Sequence, residues 1–245
     1  MSELETTSVT LKNKSQFGEI ARRFVKNKGA LFGLAFIVVL IVCALLPGVL
    51  APYGYDEQVL SRQFQAPSKA FIFGTDQFGR DIFSRVIYGA RVSLALGLIS
   101  VTMSTVLGII LGSIAGYYGK VADNVIMRFI DIMLSIPNIL LAMSIVAALG
   151  TGFFNLLIGI AVGGIPGYAR VIRASILSVN EQEYIEAAHS IGASDWRIIT
   201  GHIIPNCMAP IIVQATMSMA QSIRFAAGLS FIGLGIMPPT PEWGS

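Results

Sequence analysis

Four stretches of this chain carry no Asp, Glu, Lys or Arg: Ala30 to Leu50, Val92 to Gly119, Ile132 to Ala169, and Ile198 to Ile223. About 20 consecutive apolar residues cross the hydrocarbon core of a bilayer, so each stretch is long enough to span and the longest, Ile132 to Ala169, can span twice. That longest stretch contains its own break, Gly150-Thr151-Gly152, suited to a tight hairpin between two helices. The pattern predicts five membrane helices, at about 30–50, 92–118, 128–149, 154–172 and 203–236. A membrane β-barrel would need alternating polar and apolar residues, which this sequence lacks. Only 13% of the 245 residues are charged, about half the share of an ordinary soluble domain. The net charge of +3 is small and dispersed, which excludes a nucleic-acid-binding footprint. The fold class is therefore an all-α integral membrane protein, a polytopic helix bundle.

Lys and Arg positions orient the bundle. Lys12, Lys14, Arg22, Arg23, Lys26 and Lys28 precede the first span, which places residues 1–29 in the cytoplasm by the positive-inside rule. Alternating from there, the inside segments also hold Lys120, Arg128, Arg170, Arg173 and Arg197, whereas the basic residues on the outside all fall in the loop at 51–91. The first apolar stretch is too long and starts too late for a cleaved signal peptide, and it lacks a small-residue cleavage site. Cys43 and Cys207 fall at different depths of their spans and are predicted to be unpaired.

The second span carries Ser100, Ser104, Gly108, Gly112 and Gly116, and the fourth carries Gly159, Gly163 and Gly167, one small residue every four positions. Such a stripe lets another helix backbone approach closely, which predicts bundle packing rather than ligand contact. Pro137 and Pro166 are predicted to kink spans three and four. In the outer loop, Asp81 and Arg85 at i and i+4, flanked by Ile82, Phe83, Val86 and Ile87, predict a short amphipathic helix at the interface.

The segment from Val179 to Pro205 is far longer than the usual connection between packed helices, which takes only a handful of residues. Asn180 followed by Glu183 reads as a capping box that starts a helix; Gly192 stops it, Ser194 caps a second turn, and Pro205 opens the last span. Glu183 and Glu186 form an acidic surface, and Ala187 and Ala188 leave room for a partner.

Glu186-Ala187-Ala188, then Gly192, then His202-Ile203-Ile204-Pro205 resembles the EAA loop of permease subunits in binding-protein-dependent ABC importers, although that pattern has Ile and Leu where His202 and Ile204 stand. Further matches narrow the resemblance: Gly74 to Arg85 with Gly89, Arg91 and Ser93; Arg128, Asp131, Ser135 and Pro137; Gly228 to Phe231; and Pro238 to Gly244. Together they are similar to the second permease of the dipeptide, oligopeptide and nickel importers over essentially the whole chain. The resemblance implies a heterodimer with a second permease subunit, two cytoplasmic ATPase subunits, an extracytoplasmic substrate-binding protein, and a multi-pass position in the cell membrane. It implies that the loop at 174–202 couples to an ATPase through Glu183, Glu186, Ala187, Ala188, Gly192, Asp195 and Pro205, inside a permease core at 92–245. It also implies a sixth span beyond Gly244, so that five spans make an incomplete bundle.

The chain lacks a GxxxxGK[ST] phosphate-binding loop, so ATP is expected to bind partner subunits and this chain to need no cofactor. An intramembrane hydrolase would need a placed nucleophile and base or a metal centre. The two histidines, His189 and His202, fall in the loop and not in HExxH spacing, so no catalytic or metal residues are assigned. A channel or scaffold subunit that is not ATP-coupled is the competing class, and nickel or another small solute competes with peptide as cargo. Arg224, the only charge between Arg197 and Glu242, lies about 30 Å along the last span. It either snorkels to outer headgroups or lines the outer mouth of the substrate pathway.

Overall fold

The computed structural model describes Arg22 and residues 24–244; Lys12, Lys14 and Arg23 of the basic segment lie outside the described residues. The chain divides into two units, 1–42 and 43–245. Helix α1, Lys28–Leu45, occupies most of the described part of the first. It is shorter than the expected 30–50 span. Pro47 lacks an N–H and restrains the residue before it, so Leu46 leaves the helical region (φ −120°, ψ 43°) and only a short turn, Pro47–Leu50, follows.

The larger unit is built on α2, Ile82–Tyr118, which runs for 37 residues. At about 1.5 Å per residue this is about 55 Å, well beyond the hydrocarbon thickness. The separate interfacial helix expected around Asp81 to Ile87 is therefore corrected: those residues are the first turns of α2 and its cap. Asp81 does not pair with Arg85 but caps the helix, as a short acidic side chain at this position does. Its carboxylate accepts from the Ser84 N–H at 2.8 Å and the Ser84 hydroxyl at 2.6 Å.

The expected span at 128–149 is also corrected, since it is broken. Helix α3, Lys120–Leu134, and α4, Asn138–Leu149, meet at 87°. Pro137 stands at the start of α4 with extended backbone (φ −53°, ψ 132°), where its missing N–H costs no helical bond. Helix α3 places Ile126, Met127, Ile130 and Leu134 against the bundle. Its other side exposes Val121, Val125, Phe129 and Ile132.

Helix α5, Phe153–Asn180, runs unbroken through Pro166 and extends past the expected end at 172. It is followed by α6, Glu183–Ser190, and by α7, Met208–Phe231. The helical segment from Asp195 to Asn206 meets α7 at 62°. Among the described residues, helices α1, α2 and α5 are each long and apolar enough to cross a bilayer, and the number rises to the expected five if each bent pair is one crossing.

Helices α2 and α5 form the most extensive helix pair. Their seam is the predicted stripe: Ser100, Ser104, Gly108, Gly112 and Gly116 are all buried. A Cβ on Gly112 would sit 2.8 Å from the Ala169 carbonyl oxygen and 2.9 Å from the Ile172 Cβ. The Ser104 hydroxyl donates across the seam to the Ala161 carbonyl at 2.7 Å. Such a bond contributes about 0.6 kcal/mol inside a membrane bundle. In the second stripe, Gly159 packs against α4, where a Cβ would stand 3.0 Å from the Ala142 carbonyl oxygen. Cys43 and Cys207 are both free thiols, the second buried.

Candidate functional site

The loop between α5 and α7 contains the expected helix, glycine stop and second helix, with different caps. Asn180 is the last residue of α5 rather than a cap, and Gln182 occupies the N-cap of α6 with no side-chain bond. The helix is instead started by the Ile185 N–H donating to the Gln182 carbonyl at 2.9 Å. At its end, Gly192 adopts φ 78°. This is the left-handed conformation that costs glycine least. Two backbone bonds close the turn: Ala193 N–H to Ala188 C=O at 3.1 Å and Gly192 N–H to His189 C=O at 2.9 Å. Ser194 starts the helix Asp195–Ile198 through its carbonyl, which accepts from Ile198, and not through its hydroxyl. A π-helical turn, Ile199–Ile203, leads to Ile204–Asn206.

This loop does not simply project into water. Ile185, Ala188, Ile198 and Ile203 share one buried apolar cluster with Ile172 and Ile176 of α5 and Ile211 of α7. Of the residues assigned to ATPase docking, Glu183, Glu186, Ala187, Gly192, Asp195 and Pro205 are exposed on the loop. Ala188 is 8% exposed and belongs to the cluster, so its side chain is spent on internal packing. The Asp195 carboxylate accepts from the Tyr117 hydroxyl at 2.8 Å, and the Tyr117 ring stacks on His189 at 6.0 Å, which ties the loop to the end of α2. Sequence reasoning missed the apolar side of the same surface: Tyr184, Ile191 and Trp196 are 44%, 84% and 75% exposed. Ile191 follows the last helical residue and Trp196 is the second residue of the next helix, positions where a structural loop usually carries polar side chains.

Arg170 and Arg173 count in the sequence as topology markers, and the structure gives them partners on α3. Arg170 pairs with Asp131 at 2.5 Å, and Arg173 makes a two-pronged pair with Asp123. The first pair is about half exposed, where such contacts contribute about 0–1 kcal/mol; together the two clamp the broken span against α5.

At the other end of the bundle, the segment at 74–81 wraps around Asp76. One Asp76 oxygen accepts from the Phe78 N–H at 2.8 Å and the Arg80 N–H at 3.0 Å, and the other accepts from Arg80 Nε at 2.6 Å. Burial works to raise the Asp76 carboxyl, but these donors outweigh it and hold the group below the usual carboxylate range. Arg85 reaches the carbonyls of Tyr55 and Pro239 at 3.2 and 3.4 Å instead of Asp81. An open cavity of about 710 Å³ lies between this turn and Trp243.

Within the bundle, α4, α5 and α7 enclose a crevice of about 110 Å³ whose lining includes Asn138, Tyr168, Gln214, Ser218 and Gln221. Sequence reasoning missed these residues as well, although polar side chains at 214, 218 and 221 repeat at i, i+4 and i+7 through an uncharged run. Arg224 is not among the residues lining that crevice. At about 100° per residue it falls in line with Val213, Met217 and Ala220, on an exposed stripe turned by roughly a quarter of a circle from Gln214 and Gln221. Its guanidinium lies 5.9 Å from the Phe225 ring centroid.

An apolar helical bundle with two bent helix pairs and a folded loop sharing its core has the architecture of a polytopic integral membrane protein, and the comparisons with known proteins give its class. Residues 108–245 match the binding-protein-dependent transport system inner membrane component, and residues 15–67 match the N-terminal membrane domain of oligopeptide transport permease C. The chain belongs to this family of binding-protein-dependent permease components. It is 45% identical to the di/tripeptide transport system permease protein DppC of Pseudomonas aeruginosa, over 94% of this chain and 78% of that protein. It is 46% identical to the dipeptide transport system permease protein DppC of Alkalihalophilus pseudofirmus, over 94% and 76%. With the glutathione transport system permease protein GsiD of Pectobacterium atrosepticum it shares 41%, over 95% and 77%. The fold recurs in the inward-facing MetNI methionine ABC transporter, with a TM-score of 0.56 and 21% identity over 63% of this chain and 77% of that one.

Proposed function

We propose that this permease imports small peptides across the cytoplasmic membrane, paired with a second permease, driven by two ATPases and supplied by an extracytoplasmic binding protein. The relatives named for dipeptides, tripeptides and glutathione support the cargo. Coupling is carried by one observation: the docking loop and the spans share a single apolar cluster, from Ile185 and Ile198 to Ile172 and Ile211. A loop packed into the bundle in this way transmits a displacement of its outer face to α5 and α7, because close-packed interiors transmit strain.

The full complex in proteoliposomes, with loaded binding protein outside and ATP within reach of the ATPases, is expected to accumulate a radiolabelled dipeptide. Failure to accumulate any di- or tripeptide that the binding protein holds would overturn the proposal.

The same reading puts 1–29 inside, the apolar segment at 30–50 across the membrane, 51–91 outside, and the 174–202 loop of the 92–245 core inside. In a chain whose native thiols are replaced by serine, Gln65→Cys is expected to react with an impermeant thiol reagent in intact cells. Lys26→Cys and Ser178→Cys are expected to react only after the membrane is opened. Labelling of Ser178→Cys in intact cells would reverse the orientation.

A further inference from the structure

The crevice between α4, α5 and α7, which Val101 and Ser104 of α2 also line, carries several polar side chains among apolar ones, where the surrounding lipid solvent makes polarity costly. Asn138, Gln214 and Gln221 each offer an amide donor pair and a carbonyl acceptor, Ser218 offers a hydroxyl, and the residues lining the crevice include no charged side chain. Tyr168 also lines it. The residue is 2% exposed, and its hydroxyl has no hydrogen-bond partner among the described residues. A buried donor without a partner is disfavoured, and phenylalanine would fill the same space without that cost. Ser104 shows the contrast on the facing helix, since its hydroxyl is satisfied by the carbonyls of Ser100 and Ala161.

The crevice volume is about 110 Å³. That is room for about three or four waters and not for a dipeptide, so a peptide could only lie along the crevice, with part of it outside. Its chemistry fits a ligand segment that is uncharged, carries both donors and acceptors, and has the same form whatever the side chains. The amide of a peptide main chain meets all three conditions. A metal ion would call for carboxylate, thiolate or imidazole donors, and a peptide terminus for a charge of opposite sign.

From this geometry we infer that Asn138, Gln214, Ser218 and Gln221, with the Tyr168 hydroxyl, form this subunit's peptide-main-chain site within the membrane. The inference rests on the peptide-import reading and adds the residues that read the cargo. It also explains how one permease passes peptides of varied sequence: the groups along the wall address only what every peptide shares. Arg224 is not among the residues that line this crevice.

The test uses the complete transporter, with Cys43 and Cys207 replaced by serine. Ser218→Cys and Gln221→Cys are expected to react with a small water-soluble methanethiosulfonate at least tenfold faster than Met217→Cys, whose side chain is on the same helix but does not line the crevice. Turnover with loaded binding protein and ATP is expected to slow that reaction. Tyr168→Phe is expected to lower dipeptide uptake by about threefold to tenfold, the effect of one lost hydrogen bond, with an unchanged elution profile in detergent. Cysteines at 218 and 221 as unreactive as the one at 217, or uptake by Tyr168→Phe equal to that of the parent, would overturn the site while leaving peptide import intact. Absence of uptake in the parent complex would instead remove the import reading on which the site depends.

Discussion

Gly112→Val is expected to eliminate the folded permease. The added atoms meet the Ala169 carbonyl oxygen at 2.8 Å and the Ile172 Cβ at 2.9 Å, and a backbone carbonyl has no rotamer to move into. Forced separation of α2 and α5 would also break the Ser104 to Ala161 hydrogen bond and open the buried stripe from Ser100 to Gly116. Overpacking in a dense core costs about 1–3 kcal/mol, and this position falls at the upper end because the obstacle is main chain. Fluorescence-detected size exclusion of a tagged chain is expected to lose its monodisperse peak. Gly33→Ala provides the control, since a Cβ there meets nothing within 4 Å. A normal peak and normal thermal stability for Gly112→Val would show that the helix pair is not held at this seam.

The seam was legible in the sequence because its signal is local: a small residue every fourth position needs no knowledge of the partner helix. The long apolar helices were legible for the same reason, being set by uncharged length, and the count reaches five only with each bent pair taken as one crossing. Where a local pattern had two solutions the sequence chose badly. Asp81 and Arg85 satisfy an i,i+4 pair on paper, but Asp81 precedes a helix whose first amide hydrogens need an acceptor, and that demand wins. Asn180 and Glu183 have the spacing of a capping box, yet α5 continues to Asn180 because the apolar face that buries Ile172 and Ile176 carries the helix past the end of the hydrophobic run. Pro137 announced a bend without its size; the 87° turn lets α3 pack Ile130 into the bundle while Asp123 and Asp131 reach Arg173 and Arg170. The tie between Tyr117 and Asp195 joins residues 78 apart and has no sequence signature. The polar face of α7 lay open at positions 214, 218 and 221, but only the structure shows Tyr168 and Asn138 from other helices beside it.

Loss of transport with retention of the folded permease is expected for changes on the outer face of the α6 loop. Trp196 is 75% exposed and Ile191 84%, and the acidic residues Glu183, Glu186 and Asp195 are exposed on the same loop. An exposed tryptophan framed by charges is the composition of an interface anchor, and truncating such an anchor costs about 2 kcal/mol or more, roughly thirtyfold in affinity. Trp196→Ala is therefore expected to weaken ATPase co-purification by that order, and Glu186→Lys to act in the same direction by reversing a charge at the contact. Gly192→Pro tests transmission rather than contact. The proline ring locks φ in the negative, right-handed range, whereas Gly192 stands at positive φ. It also removes the N–H that donates to His189, so the turn closing α6 is lost although the space around it is open. Because Ile185 and Ala188 anchor α6 from its inner side, the bundle is expected to remain folded while uptake falls to background. The measurements are ATPase co-purification, peptide-stimulated ATP hydrolysis and dipeptide uptake on the same preparations. Normal co-purification and normal uptake in Trp196→Ala, Glu186→Lys and Gly192→Pro alike would mean that the ATPase grips the permease elsewhere.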